Sequence, residues 1–546
     1  MRFSKIVYTT PFVLFLLLWG FLIADKKPLR ADRDYYRHYH IASFEFDGEL
    51  GNDYRLVVFR KNKPLTGIGG RMVYRFNVKD GKSTARFPIP WNAEEGFYEA
   101  RVFHPSETER NRFLGAVFAV TGRKAMDVKF PLNAMNWENT KNLKTRRIPA
   151  PSGEIKSWKG IFDWLDYMKT DTLFYLTAQT AFFGKSLPAD FPWIKNNLKR
   201  LDDLCAEAHK RKMRIGAWAA SYIVVGKRDE SLGYTYGTDY SFSDDRLKKS
   251  RGISIGDSKR LKDIIKVMRR MDTSSADFLG LDYIRPVQGG FELIDEFLED
   301  MDVELPAGLK GSSGRALYLA REIFRKKNYA LRDLWNWWRA RKSSLCIERI
   351  KEEVKSDKPL WIFLLSWQMG HQHGQDPVMF RDAGADFQTV MLYECDDIQF
   401  DTLLSQWEKY DAKGVNFIIG NQIDFNVHQF SEAPPAPEKF ASRLLRAREV
   451  LKPNGVFIND LSRVFWGRKG PYTGMEWLAP VKSLIETGEI GTGFLYSADS
   501  IAKSSATVSG MSDVSTPIST SAVSGAAPTS AVPEESYNIK TSTPAR

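Results

Sequence analysis

Between His40 and about Ala125 apolar and polar residues alternate in short stretches: Tyr54 to Phe59, Arg71 to Phe76, Thr84 to Phe87 and Phe97 to Phe103. Turn signals at Gly69-Gly70, Asp80-Gly81 and Pro88 separate them. A period of two broken by frequent turns predicts a small antiparallel β-sandwich over 40–125. A polar connector around Asn136 to Ser152 follows, and then the pattern changes to helix and strand in alternation. Ile194, Leu198, Leu201, Leu204, Cys205 and Ala208 share one helical face and lead into the strand-like Met213 to Trp218. Leu261, Ile264, Ile265, Met268 and Met271 repeat that order ahead of Phe278 to Leu281. Apolar runs at Thr172 to Leu176, Leu360 to Leu365, Phe387 to Tyr393, Val415 to Ile419 and Val456 to Ile458 bring the strands to seven, and Thr492 to Tyr496 offers an eighth. Repeated βα units over this length predict an α/β fold, a (β/α)8 TIM barrel over 155–497.

Two longer excursions, Ile223 to Ile255 and Val287 to about Tyr329, interrupt the repeat after strand ends, where barrel loops build substrate clefts. At the N-terminus, Arg2 and Lys5 precede the apolar run Phe12 to Ala24, and Asp25, Lys26 and Lys27 follow it. Residues 1–30 therefore read as an export signal, either cleaved or kept as a membrane anchor. The expected location is outside the cytoplasm: periplasmic, extracellular, or anchored and facing outward. From 498 to 546 the chain is Ser, Thr, Ala, Pro and Gly with almost no aromatics, a composition expected to stay disordered.

The formal charge is +12, but its 79 Lys and Arg are scattered among 67 Asp and Glu, which argues against nucleic acid as a partner and leaves anionic glycans or an anionic membrane surface open. Cys205, Cys346 and Cys395 are far apart and lack ligand spacing, so neither a disulfide framework nor a zinc site is indicated. No cofactor is expected. In the sandwich, Trp91, Tyr98 and Phe103 could face a glycan, although packing in the core and turns explains them better.

The most informative stretch is Ala276 to Pro286, where a buried apolar run delivers Asp282, Tyr283 and Arg285 at its C-terminal end, the end at which barrel enzymes collect their chemistry. Asp282 could instead serve only as a helix cap or an ion-pair partner of Arg285. The order Pro192-Trp193, Ala208-His209 to Lys212, Ile215 to Trp218, Asp277 to Arg285, Trp338-Arg339, Lys358-Pro359 and Asp386 to Tyr393 resembles glycosyl-hydrolase-like family 10, the exported bacterial DUF187 barrels, across roughly residues 155–480. That resemblance implies a TIM barrel acting on, or binding, polysaccharide outside the cytoplasm. The chain departs from the family's phrases: Leu279-Gly280 stand where Asp-Gly is usual, Lys212 replaces a glycine, Gly216 replaces a histidine, and Glu394 follows Tyr393 where an aromatic is common.

Glycoside hydrolysis needs two carboxyl groups across the scissile bond, one protonated and one ionised. Asp282 is the expected nucleophile or base and Glu394 the expected acid, its pKa raised by Asp396 and Asp397. Asp424 and Asp460 also follow strands and are alternatives to Glu394, with Asp460 better suited to fixing a turn before Arg463. Arg285 could orient Asp282 or grip a substrate carboxylate. Trp218, Tyr222, Tyr283, Trp367, Tyr393 and Trp466 supply flat faces for sugars at strand ends. His371 and His373, two residues apart without an evident third ligand, are expected to contact substrate and not to bind metal. The expected function is hydrolysis of O-glycosidic bonds in an extracytoplasmic polysaccharide. The alternative is a non-catalytic glycan-binding or envelope-organising protein with a degenerate barrel. The N-terminal segment adds a membrane partner if it is uncleaved.

Overall fold

The computed structural model describes residues 27–489 except 112, 129–131, 139–142, 180, 183–184, 187–191, 224–229, 287–288, 366–372, 394–396, 425–435 and 466–468. The expected signal, the eighth strand at Thr492 to Tyr496 and the Ser/Thr-rich tail lie outside the described residues. Among those described, no helix is long and apolar enough to cross a membrane.

Eight parallel strands close into a barrel: β1 (Leu132–Trp137), β2 (Thr172–Ala178), β3 (Arg214–Ala220), β4 (Phe278–Asp282), β5 (Leu360–Leu365), β6 (Phe387–Met391), β7 (Phe417–Gln422) and β8 (Gly455–Asn459). A helix follows each strand: Gly160–Met168, Pro192–Lys210, Ser258–Asp272, Tyr329–Val354, Pro377–Ala383, Asp397–Trp407, Pro437–Leu451 and Gly474–Glu486. Seven of these strands are the ones the apolar runs predict. The remaining strand is β1, which runs up to the start of the polar connector expected from about Asn136, so the barrel begins upstream of residue 155. The long excursion after β3 contains the hairpin Tyr236–Ser241 and Arg246–Ile253, and the one after β4 contains helices Ile294–Asp300 and Gly311–Phe324.

The barrel is filled, not open, and its filling is aromatic. Phe174, Trp218, Phe278, Trp361, Phe363, Phe387 and Phe457 point inward with Leu132, Ala134 and Ile418. Trp361 stacks on Phe174 with ring centroids 4.4 Å apart and on Phe387 at 5.9 Å. Room for it comes from two small residues on neighbouring strands. A Cβ on Gly216 would lie 2.5 Å from the Trp361 ring and one on Gly280 2.4 Å from it. A side chain at either position would thus collide with this indole.

Ahead of the barrel stand two facing sheets. One runs Arg30–Ala31, Ile41–Asp47, Lys82–Pro88 and Asn77–Lys79; the other runs Tyr35–Tyr36, Ala116–Val120, Gly96–Phe103, Arg55–Arg60 and Lys63–Pro64, with Tyr74–Arg75 also on Arg55–Arg60. Tyr36, Phe44, Phe87, Tyr98 and Phe118 pack between them, the alternation of a two-layer sandwich. Strands upstream of residue 40 take part. Tyr98 is therefore core, stacked on Phe118 at 5.6 Å, and not a glycan face. Trp91 is partly buried against Tyr410 of the barrel, and only Phe103 of the three expected aromatics lies exposed.

The sandwich is tied to the barrel by buried polar contacts. His38 Nδ1 lies 2.6 Å from Asp382 Oδ2 and its Nε2 3.0 Å from the Ala93 carbonyl. Asp382 also accepts from the amides of His38 and Arg123 and from Arg381 Nε and Nη2. Arg123 Nη2 reaches Asp386 at 2.8 Å, and Asp386 in turn accepts from the Leu360 amide at the start of β5.

Candidate active site

The C-terminal ends of β1, β3, β4, β7 and β8 carry a belt of polar side chains. Trp218, inward from β3, donates from Nε1 to Asn136 Oδ1 at 3.1 Å. Asn136, near the end of β1, donates from Nδ2 to Asn459 Oδ1 on β8 at 2.8 Å and to Glu138 Oε1 at 3.1 Å. Asn459 donates to Gln422 Oε1 on β7, and Gln422 Nε2 donates to Asp424 Oδ2. Side chains fixed by neighbours on adjacent strands in this way are held rigid before any substrate arrives.

Arg463, from the short helix Leu461–Phe465 that follows β8, closes the belt. Its Nη1 donates to Asp424 Oδ2 at 2.7 Å, while Nη2 lies 3.5 Å from Glu138 Oε2 and Nε 3.5 Å from Asp460 Oδ2. The tightest of these contacts belongs to Asp424, so the guanidinium is shared unequally among three carboxyl groups. Asp460 accepts from the Arg463 amide and from the Ser462 hydroxyl, the turn-fixing role its spacing suggests. Asp282 ends β4, almost wholly buried, with Oδ1 accepting from the Tyr283 amide at 2.6 Å. Tyr283 itself adopts φ 54°, in the left-handed region that non-glycine residues seldom occupy and that recurs at functional sites. Arg285 lies over its ring, 5.0 Å from the centroid.

The electrostatics follow from this packing. Burial pushes Asp282 up to about 6 against the opposing pull of Arg285 and the Tyr283 amide. Glu138 is also raised, first by burial and then by the charge of Asp282, with Arg463 and Asn136 opposing. Asp460 is pushed up to about 7 by burial and by the charge of Glu138. Glu138 is surrounded by protein, yet a third of its side-chain surface (33%) stays open, as befits a group lining a cleft: desolvated, but reachable. The Tyr393 hydroxyl is raised well above its usual range by burial and then by the charges of Glu138 and Asp282.

Asp282, Tyr283, Arg285, Trp218 and Tyr393 thus gather at the barrel mouth, with Trp218 forming its floor. Tyr222 does not join them: it is fully buried in the layer between barrel and helices, its hydroxyl 3.6 Å from Cys346 Sγ. Glu394, Trp367, His371 and Trp466 lie outside the described residues, while His373 is described and partly buried. The acid that sequence reasoning missed is Glu138. Asn133 and Asn136 interrupt the apolar signature of β1, and both are buried, Asn136 because it hydrogen-bonds across to β8. The pair Trp137-Glu138, an aromatic and an acid just ahead of a turn-rich stretch, was the available signal. Among the described residues no cluster of three or more His, Cys, Asp or Glu has metal-ligand geometry.

No protein-family model matches the chain, and no curated protein matches it. Solved structures similar to it include a GH5-4 broad-specificity endoglucanase from Clostridium acetobutylicum (TM-score 0.33, 10% identity, covering 64% of this chain and 96% of that one). A second is the glycoside hydrolase domain of PelA from Pseudomonas aeruginosa (0.29, 10%, 60% and 94%). A third is a xylanase-α-amylase inhibitor protein, XAIP-I (0.33, 9%, 67% and 100%). At these TM-scores the likenesses bear on no activity.

Proposed function

We propose that this chain is a glycoside hydrolase of the barrel type, acting on a polysaccharide outside the cytoplasm. Asp282 is its nucleophile or base, and Glu138 the acid that protonates the leaving oxygen. The observation that carries the reading is a pair of desolvated carboxyl groups at the C-terminal mouth of a (β/α)8 barrel, one of whose charges raises the other. Once Asp282 has ionised, its charge favours retention of the proton on Glu138, the division of labour glycosidic cleavage requires. Arg463, 3.5 Å from Glu138 and bonded to Asp424 at 2.7 Å, opposes that proton without outweighing burial and the charge of Asp282. The partial openness of Glu138 suits a group that must touch the leaving oxygen. Tyr283 and Tyr393 offer ring surface beside the pair, and Arg285 orients Asp282. The apolar N-terminal run supports export, and the family-like phrases support a polysaccharide substrate.

The test is a panel of polysaccharides assayed for cleavage and for binding with wild type, Asp282→Asn and Glu138→Gln. The reading expects cleavage of at least one glycan by wild type only, with binding kept in both variants. Binding without cleavage by wild type would show a barrel that holds glycans but does not cut them. Undiminished cleavage by Asp282→Asn would remove Asp282 from the chemistry.

A further inference from the structure

The outward face of the larger sandwich sheet is apolar where a solvated antiparallel sheet face should be polar. Its outward positions are Tyr35; Val117 and Ala119; Phe97, Glu99, Arg101 and Phe103; and Arg55, Val57 and Phe59, on four consecutive strands. Phe97 is 77% exposed, Val117 62% and Tyr35 57%. The register aligns Tyr35, Ala119 and Phe97 in one row across the strands, with Val117, Glu99 and Phe59 in the next. Two strand spacings separate Tyr35 from Phe97, about 10 Å between their Cα atoms, with only a methyl group between them. That is close to the length of an extended disaccharide, so alternate sugars of one chain would meet alternate rings.

Arginines accompany the rings. Arg101 lies over Phe59 at 4.6 Å from the centroid, Arg110 over Phe103 at 5.5 Å, and Arg37 beside Tyr35 at 6.0 Å. Among the outward positions of these strands Glu99 is the one acid, and Arg101 holds it. Charge on this face is thus basic, and Arg101 and Glu99 sit between the rings, not around them. Immersing the face in lipid or sealing it against a second protein would desolvate that central ion pair; a hydrated polyanion would not.

We propose that this face binds an acidic polysaccharide, with Tyr35 and Phe97 stacking on alternate sugars and Arg37, Arg101 and Arg110 reading their anionic groups. The site is separate from the barrel mouth and stands whether or not the barrel cleaves glycans. The experiment measures retention of the full chain by immobilised polygalacturonate, with uncharged dextran and phosphatidylglycerol vesicles as parallel arms. It compares wild type, the double variant Tyr35→Ser/Phe97→Ser and Arg101→Gln. Because the two replaced rings are exposed, the double variant should keep the wild-type melting temperature, which is checked in the same samples. The expected result is binding to polygalacturonate that weakens with salt and falls about tenfold or more in the double variant and in Arg101→Gln. Retention untouched by the double variant would overturn the proposal. So would absence of wild-type retention, tighter binding to vesicles than to polygalacturonate, or a wild-type dimer that the double variant dissociates.

Discussion

Asp382 at the seam between sandwich and barrel and Asp282 at the barrel mouth are both buried carboxyl groups near cations, yet their pKa values are driven in opposite directions. At Asp382 burial raises the pKa, but the hydrogen bond and charge of His38, the Arg381 guanidinium and the Arg123 amide outweigh it and hold the group down to about 2. At Asp282 burial wins over the charge of Arg285 and the single amide of Tyr283. Burial alone therefore does not distinguish a structural acid from a reactive one; the number of donors does. A carboxylate saturated with donors has no lone pair left for chemistry. One left short of donors is costly to ionise, and substrate can supply what it lacks.

Four outcomes would break or sharpen this contrast. The largest concerns activity: Asp282→Asn and Glu138→Gln should each lower the rate of polysaccharide cleavage by about 10²- to 10⁴-fold, the usual contribution of a positioned acid or base. Asp382→Asn, far from the mouth, should leave kcat unchanged.

Next in size is the structural penalty. Asp382→Ala strands the His38 and Arg381 donors in a dry seam, and denaturant unfolding should show a loss of about 3–5 kcal/mol. A loss below about 1 kcal/mol would mean that the seam contributes little.

Stability against pH should separate the two acids by sign. The raised pKa of Asp282 gives a contribution that is full below the unfolded carboxylate value and lost as pH rises through about 6. Asp282→Asn should therefore be more stable than wild type at pH 8, by up to about 3 kcal/mol, with the gain gone near pH 4. The lowered pKa of Asp382 acts the other way: its contribution is present above the unfolded value and lost as pH falls toward about 2. Melting temperatures of the two Asn variants across pH check both signs.

The smallest effect is on the pH–rate profile. Ionisation of Asp282 should set an acid limb near 6, and the proton on Glu138 should set the alkaline limb. Arg463→Met removes a cation that favours ionised Glu138, so the alkaline limb should move upward. An alkaline limb that stays in place would show that Arg463 serves Asp424 and Asp460 alone.

Much of the fold was legible because parallel strands buried on both faces are unbroken apolar runs, and β2 to β8 are written that way. β1 was not, since Asn133 and Asn136 look like loop residues until the bond from Asn136 to Asn459 on β8 is known. The same two residues hid Glu138. Asp282, by contrast, follows a clean apolar run and stands where a strand must end. Tyr222 misled for the opposite reason: it follows β3 as a site residue would, but the chain turns it outward against Cys346, and no local pattern encodes that turn. In the sandwich, alternation found the strands but not which phase faced out, so Tyr98 was weighed as a glycan face beside core packing while the exposed Phe97 was passed over.

The most direct test of the mouth as a hydrolytic pair is the dependence of the variants on the leaving group. Wild type, Glu138→Gln and Asp282→Asn are compared on the polysaccharide the panel identifies and on the dinitrophenyl glycoside of the same sugar, whose leaving group needs no proton. Glu138→Gln should lose the polysaccharide and keep the aryl glycoside, while Asp282→Asn should lose both. Wild-type rates on the polysaccharide in Glu138→Gln would contradict the assignment.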